Sequence, residues 1–264
     1  MTTSADPIEA ALSALSDSHD KLAAAVATVS GDHATDPSYC ADWSIAQVLS
    51  HLGSGAEIFG LVVAAGLHGR PAPGQEQNQA IWDVWNAKSP QDQVRDGVAA
   101  DGELVEQLAA TTPEQRRDWK LNFFGSERGL ADVIRMRLGE HALHTWDVEV
   151  ALDPRATIAG DTAGLVLDGL PELIGYIGKP TGENLRVHVT TEHPERDYEL
   201  VIGPDSVVLA QAGPGPAAGD AVLRIPAEAF ARLLTGRLDP EHTPLVEESQ
   251  GVQLDQLRVV FPGF

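Results

Sequence analysis

Cysteine is nearly absent: Cys40 is the one instance in 264 residues. An intrachain disulfide is therefore excluded, and the chain fits a reducing compartment. Positive charge is scarce as well. Four Lys and 14 Arg stand against 39 acidic residues, for a formal net charge of −21. Such a balance repels nucleic-acid phosphates and anionic lipid surfaces, so neither is an expected partner. Long hydrophobic runs are missing, and the most apolar one, "IFGLVVAAGL", falls far short of the roughly 20 residues that span a bilayer. The N-terminal "MTTSADPIEAALSAL" has neither a basic n-region nor an apolar h-region. No secretory signal is expected, and the expected location is cytoplasmic. What is present is apolar content: 43% hydrophobic residues, enough for a sizeable core in one large domain or two.

The first half reads as helices. "IEAALSALSDSHDKLAAAVATV" sets Ile8, Leu12, Leu15, Leu22 and Val26 near helical spacing. After the turn-rich "GDHATDPSYC", the segment "DWSIAQVLSHLGSGAEIFGLVVAAGLHG" offers Asp42 or Ser44 as N-cap and runs on through Ile45, Val48, Leu49 and Leu52. Gly53 and Gly55 within it allow a break or a close approach. A short helical piece is expected around Trp82 and Trp85, and further helices in "PQDQVRDGVAADGELVEQLAATT" and "SERGLADVIRMRLGEHALHTWDVEVAL", the last ended by "DPRA". Four amphipathic helices with long connections predict a bundle over residues 1–155. The second half changes period. "ENLRVHVTTE" alternates as a half-buried strand does, "RDYELVIG", "DSVVLAQA" and "AVLRIP" read as further strands, and "AEAFARLLTGRL" reads as a helix closed by Gly236. "GPGPAAGD" is expected as a flexible loop and "VQLDQLRVVFPGF" as a helix packed on the sheet. These elements predict a small α+β domain over residues 160–264.

The chemistry concentrates in "LGEHALHTWDVEV". Glu140 and His144 are four apart, so on a helix they lie one turn above the other on one face, with His141 about 100° to the side. His51 lies on another helix, continues the row of Ile45, Val48 and Leu52, and is expected to point into the bundle. An inward His on one helix facing an inward Glu and His on another is how bundle cores hold metals. Two imidazoles and one carboxylate leave a fourth position open on zinc, as catalytic sites require. Asp147, three residues beyond His144, is placed to accept the free ring N–H of that histidine. The bland alternative is a set of ordinary core and surface side chains. His19, His33, His68, His141, His188, His193 and His242 are read as surface or structural, Cys40 as a buried small apolar group, and the tryptophans at 43, 82, 85, 119 and 146 as packing.

"CADWSIAQVLSHLGSGAEIF" resembles the W(S/T)xxxxxxHL segment of the DinB-like, mycothiol-dependent maleylpyruvate isomerase family, and "GEHALHTWDVEVAL" resembles its ExxxHxWD helix. The resemblance implies a DinB-like four-helix bundle that binds a divalent metal, usually zinc, through His51, Glu140 and His144. It also implies that "DAVLRIPAEAFARLLTGRL" belongs to a small domain related to sterol-carrier proteins. The implied cofactor is mycothiol, a sugar thiol whose sulfur the metal would hold as thiolate. In such an isomerase the thiolate adds to an activated double bond, the resulting single bond rotates, and elimination gives the trans product. If the thiol is not eliminated, the same site performs S-transfer. Arg237 in "LLTGRL" resembles a position where the isomerases carry a functional arginine; a surface salt bridge is the alternative, and Arg135 and Arg137 are further cation candidates. A non-catalytic protein that binds a metal or an apolar ligand is the third reading.

Overall fold

A computed structural model describes residues 7–263 apart from 28, 30, 41, 124, 213–219 and 247. It divides into two compact units, Met1–Ala156 and Thr157–Phe264. The "GPGPAAGD" loop falls largely outside the described residues.

The first unit is a helical bundle. Its elements are α1 (Pro7–Val26), a 3₁₀ turn at Gly31–Thr35, α2 (Ile45–Leu67), α3 (Gln75–Asn86), α4 (Pro90–Ala109), α5 (Pro113–Asp118), a hairpin of β1 (Lys120–Phe123) and β2 (Ser126–Gly129), and α6 (Leu130–Leu152). Ser44, rather than Asp42, caps α2: its hydroxyl accepts from the Gln47 N–H at 3.3 Å, while its own N–H donates to Gln47 Oε1 at 2.9 Å. Both orphan donors are thereby satisfied. Asp42 instead takes a left-handed turn conformation with φ of 65°. The glycines do not break α2. Gly53 allows close approach, since a methyl group there would lie 2.3 Å from the Trp85 ring. Leu22, Val26, Ile45, Val48, Leu49, Leu52 and Val148 form one apolar cluster shared by α1, α2 and α6. The expectation that no segment suits a membrane is corrected in one respect. By length and composition α2 qualifies, but most of its apolar stretch is buried inside the bundle, as in a core helix. The contiguous-run reading missed this because Ser50, His51, Gly53 and Ser54 interrupt the run.

The second unit comprises α7 (Gly160–Ile177), β3 (Leu185–Glu192), β4 (Arg196–Ile202), β5 (Val207–Gln211), β6 (Ala221–Pro226), α8 (Ala227–Leu234), β7 (Glu248–Gln250) and α9 (Leu254–Val260). The strands lie in the order β5-β4-β3-β6-β7; among the described residues β3 and β6 pair in parallel and the other neighbours are antiparallel. Alternation sets the faces: Val187, Val189, Tyr198, Leu200, Leu223 and Ile225 are buried on one side. The terminal helix is shorter than the sequence suggests: Gln253 caps its start, and it stops at Val260, ahead of Phe261 and Pro262. The architecture is thus a helical bundle followed by a small α+β unit.

Candidate metal centre

Glu140 and His144 occupy successive turns of α6, and His51 lies near the start of α2. His51 Nε2 is 3.3 Å from Glu140 Oε2, and His144 Nε2 is 3.9 Å from the same oxygen. The two imidazole centroids are 4.7 Å apart at 67°. A tetrahedral zinc with bonds of about 2.0–2.1 Å holds its ligand atoms about 3.3–3.4 Å apart, so these donors are spaced to share one cation with little rearrangement. The inward placement expected for His51 is corrected. Its side chain is 37% exposed and that of Glu140 is 52% exposed, whereas that of His144 is 12% exposed. The core stripe of α2 is set by Ile45, Val48, Leu49, Leu52 and Ala56, and His51 flanks it. The three donors therefore form a rim open to solvent on one side.

His144 is held from behind. Its Nδ1 lies 2.8 Å from Asp147 Oδ2, a carboxylate with no exposure. A proton on Nδ1 puts the lone pair of the ring on Nε2, the nitrogen nearer Glu140. Burial alone would raise the Glu140 carboxyl, but the hydrogen bond from His51 and the charges of His144, His51 and Arg137 outweigh it and hold the group down to about 2. Glu140 is thus an anion across the physiological range, as a metal ligand must be.

Among the described residues, two other groups of side chains have metal-ligand spacing. His19, Asp101 and His141 form a buried one. His19 Nδ1 donates to Asp101 Oδ2 at 2.8 Å, and His141 Nε2 lies 2.8 Å from the same oxygen. His141 Nδ1 faces the Ser18 hydroxyl at 2.8 Å. Arg137 Nη2 donates to the other Asp101 oxygen at 2.6 Å and to the Leu52 carbonyl at 3.0 Å. With both histidines neutral the cluster carries no net charge. A divalent cation would add two positive charges beside Arg137 where Asp101 and His141 have no exposure, at a high desolvation cost. Among the described residues no Arg or Lys pairs with the rim carboxylate, and its chemistry suits a metal better than that of the buried cluster does. Burial would lift Asp101, but His141, His19 and Arg137 together hold it far below the usual carboxylate range.

Cys40, His144 and Asp147 form the other group. Cys40 is half-buried rather than buried, and Asp147 is already engaged with His144. The arginines on α6 are both tied to carboxylates: Arg135 Nη2 donates to Asp132 at 2.6 Å, and Arg137 to Asp101. Arg237 lies in the second unit, buried, with Nη1 donating to the Thr235 carbonyl at 3.1 Å. It is therefore not an exposed surface group.

Sequence reasoning treated Trp43 as packing only. Its indole centroid lies 5.3 Å from the His51 ring, tilted by 51°, and 6.2 Å from the His144 ring, inclined by 20°. The signal was its place immediately before the Ser44 cap, where an apolar residue packs back onto the first turns of its helix. Trp85, Trp119 and Trp146 are buried as expected, while Trp82 is exposed.

Comparison with known proteins gives a consistent picture. No curated protein matches the chain. A crystal structure of the mycothiol-dependent maleylpyruvate isomerase superposes with a TM-score of 0.63 at 16% identity, covering 88% of this chain and 90% of that one. A histidine-to-alanine variant of that enzyme gives 0.64 at 15% identity, covering 92% and 93%. At this identity the likeness establishes the fold. The profile of the mycothiol maleylpyruvate isomerase N-terminal domain matches residues 15–149, the stretch that contains α2, most of α6 and all three rim donors, and the chain belongs to that family.

Proposed function

We propose that the protein is a metal- and thiol-dependent enzyme that isomerises an electrophilic double bond from cis to trans, with zinc as the metal and mycothiol as the thiol. The observation that carries this reading is the convergence of two imidazole Nε2 atoms on one oxygen of Glu140, on a rim open to solvent. His51, Glu140 and His144 would hold the cation, which when bound supplies a Lewis acid that lowers the pKa of an added thiol. Asp147 keeps the Nδ1 proton on His144, so that the imidazole presents its lone pair at Nε2. The partial exposure of His51 and Glu140 leaves room for an external thiol and an electrophile. The chain's one cysteine is half-buried near Asp147 and His144, and a nucleophile supplied from outside is in keeping with that scarcity of thiols. Arg237 is proposed as the cation for an anionic electrophile, on its likeness to the arginine of the isomerases.

S-transfer to a neutral electrophile is favoured by one specific observation: both arginines on the helix that carries Glu140 and His144 are already paired with carboxylates. One experiment separates the two readings. Metal-loaded protein is incubated with mycothiol and either maleylpyruvate or simple alkylating agents, and products are read by mass spectrometry. A product of unchanged mass with unconsumed thiol indicates isomerisation, and an S-conjugate indicates transfer. His51→Ala and His144→Ala are each expected to lose metal and turnover together. Full metal occupancy in both variants, measured by elemental analysis, refutes the ligand assignment. Arg237→Gln is expected to raise KM for an anionic electrophile and leave that for a neutral one unchanged.

A further inference from the structure

The two imidazoles of the rim are oriented by different means. The His144 ring is fixed at Nδ1 by the buried Asp147 carboxylate, 2.8 Å away. The His51 ring has Nε2 directed at Glu140, but among the described residues its Nδ1 has no hydrogen-bond partner. Metal-binding histidines ordinarily have the second nitrogen tied to a carboxylate, a carbonyl or water, which sets the ring plane. Rotation about the terminal bond of a histidine is otherwise broad and roughly two-fold. A ring 37% exposed with one anchored nitrogen would swing unless something blocked it.

The indole of Trp43 is in the blocking position. It lies 5.3 Å from the His51 centroid and 6.2 Å from that of His144, and the two imidazoles are 4.7 Å from each other, so three rings form a closed set. The indole is itself well anchored. The Trp43 carbonyl accepts from the Ser38 hydroxyl at 2.8 Å and from the Ser38 N–H at 2.9 Å, and its N–H donates to the Cys40 carbonyl at 3.1 Å. The next residue is the doubly bonded cap Ser44. Backbone on both sides of the indole is therefore fixed, and the ring also packs against the apolar cluster that contains Val48 and Leu49.

We infer that Trp43 is a positioning residue of the cation site: its indole does by contact for His51 what Asp147 does by hydrogen bonding for His144. The inference rests on the metal reading of His51, Glu140 and His144, and the test separates the two. Wild type, Trp43→Ala, Trp43→Phe and Asp147→Ala are titrated with Co²⁺, with the visible d–d spectrum recorded and affinity measured by competition with a chromogenic chelator. Apo proteins are melted in parallel to establish folding. Trp43→Ala is expected to lose about 10–100-fold in Co²⁺ affinity, the range typical of residues that orient a ligand, with an altered d–d spectrum. Trp43→Phe, which keeps a flat wall, is expected to recover most of the affinity and the native spectrum. Wild-type tryptophan fluorescence is expected to be quenched on Co²⁺ uptake, and Trp43→Phe to lose that quenching. Trp43→Leu replaces the alanine variant if the latter fails to fold. A folded alanine or leucine variant with wild-type affinity and spectrum overturns the role of Trp43 while leaving the metal site standing. A folded Trp43→Phe no better than Trp43→Ala overturns it equally. Absence of Co²⁺ uptake by wild type overturns the metal reading and this inference with it.

Discussion

Asp101 shows at the residue scale how a buried charge is made tolerable. A carboxylate with no exposure would be costly alone, and here two imidazoles and a guanidinium surround it. Replacing it by the isosteric amide in Asp101→Asn leaves Arg137 buried without its counter-charge, and the expected loss is about 3–5 kcal/mol of unfolding free energy. Urea denaturation measures this, and a loss below about 1 kcal/mol would mean that the pair contributes specificity alone. His19 gives the cluster a pH dependence of known sign. The hydrogen bond to Asp101 raises its pKa above 6.5 against the opposing pull of partial burial. Its contribution is therefore fully present below the unfolded value near 6.5 and fades as pH rises through the higher folded value. The stability gap between wild type and His19→Gln should be larger at pH 5.5 than at pH 8.5, and a gap that widens toward alkaline pH would reverse the assignment. None of this cluster was legible in the sequence. Ser18, His19, Asp101, Arg137 and His141 are separated by up to 123 positions, and no local period links them. Glu140, His144 and Asp147 are different: their spacing of three and four on one helix makes a shared face readable at once, whereas the reach of His51 to that face depends on how two helices pack.

At the scale of elements, the long helices of the bundle were readable because their apolar stripes recur at helical spacing, and β3 to β6 of the second unit because theirs alternate; the three-residue β7 shows no such period. The hairpin of β1 and β2 was not, since "KLNF" and "SERG" are too short and polar to show a period. Nor was α7, which carries Pro171 in its interior, a residue that ordinarily argues against a helix. Packing between elements sets the next prediction. Gly53 of α2 faces Trp85 of α3, and a methyl group added there would meet ring atoms at 2.3 and 2.4 Å and the Gly97 Cα of α4 at 2.9 Å. Although alanine is the better helix former, Gly53→Ala should destabilise by about 1–3 kcal/mol through overpacking. Thermal unfolding tests it, and a stabilised variant would show that α3 can move aside.

The whole molecule carries a net charge of −21, which disfavours compactness through self-repulsion. The Debye length falls from about 30 Å at 0.01 M salt to about 8 Å at 0.15 M, enough to screen charges across the surface. The melting temperature should therefore rise over that interval by about 2–4 °C, the shift expected for about 1 kcal/mol in a chain of this size. A fall would show that surface ion pairs such as Lys21 with Glu149 outweigh the repulsion. The division into two units was signalled by the change from helical to alternating period after "DPRA", and the units meet between Ala156 and Thr157. Within the first unit, the contacts around Asp101 reach all four long helices: His19 on α1, the Leu52 carbonyl on α2, Asp101 itself on α4, and Arg137 and His141 on α6. A helix that slid by one residue would shift about 1.5 Å and turn about 100°, which carries any of these groups out of reach. The Asp101 contacts thus disfavour slid alignments of the bundle, and they act to keep His51 and Glu140, 89 positions apart, at the same height.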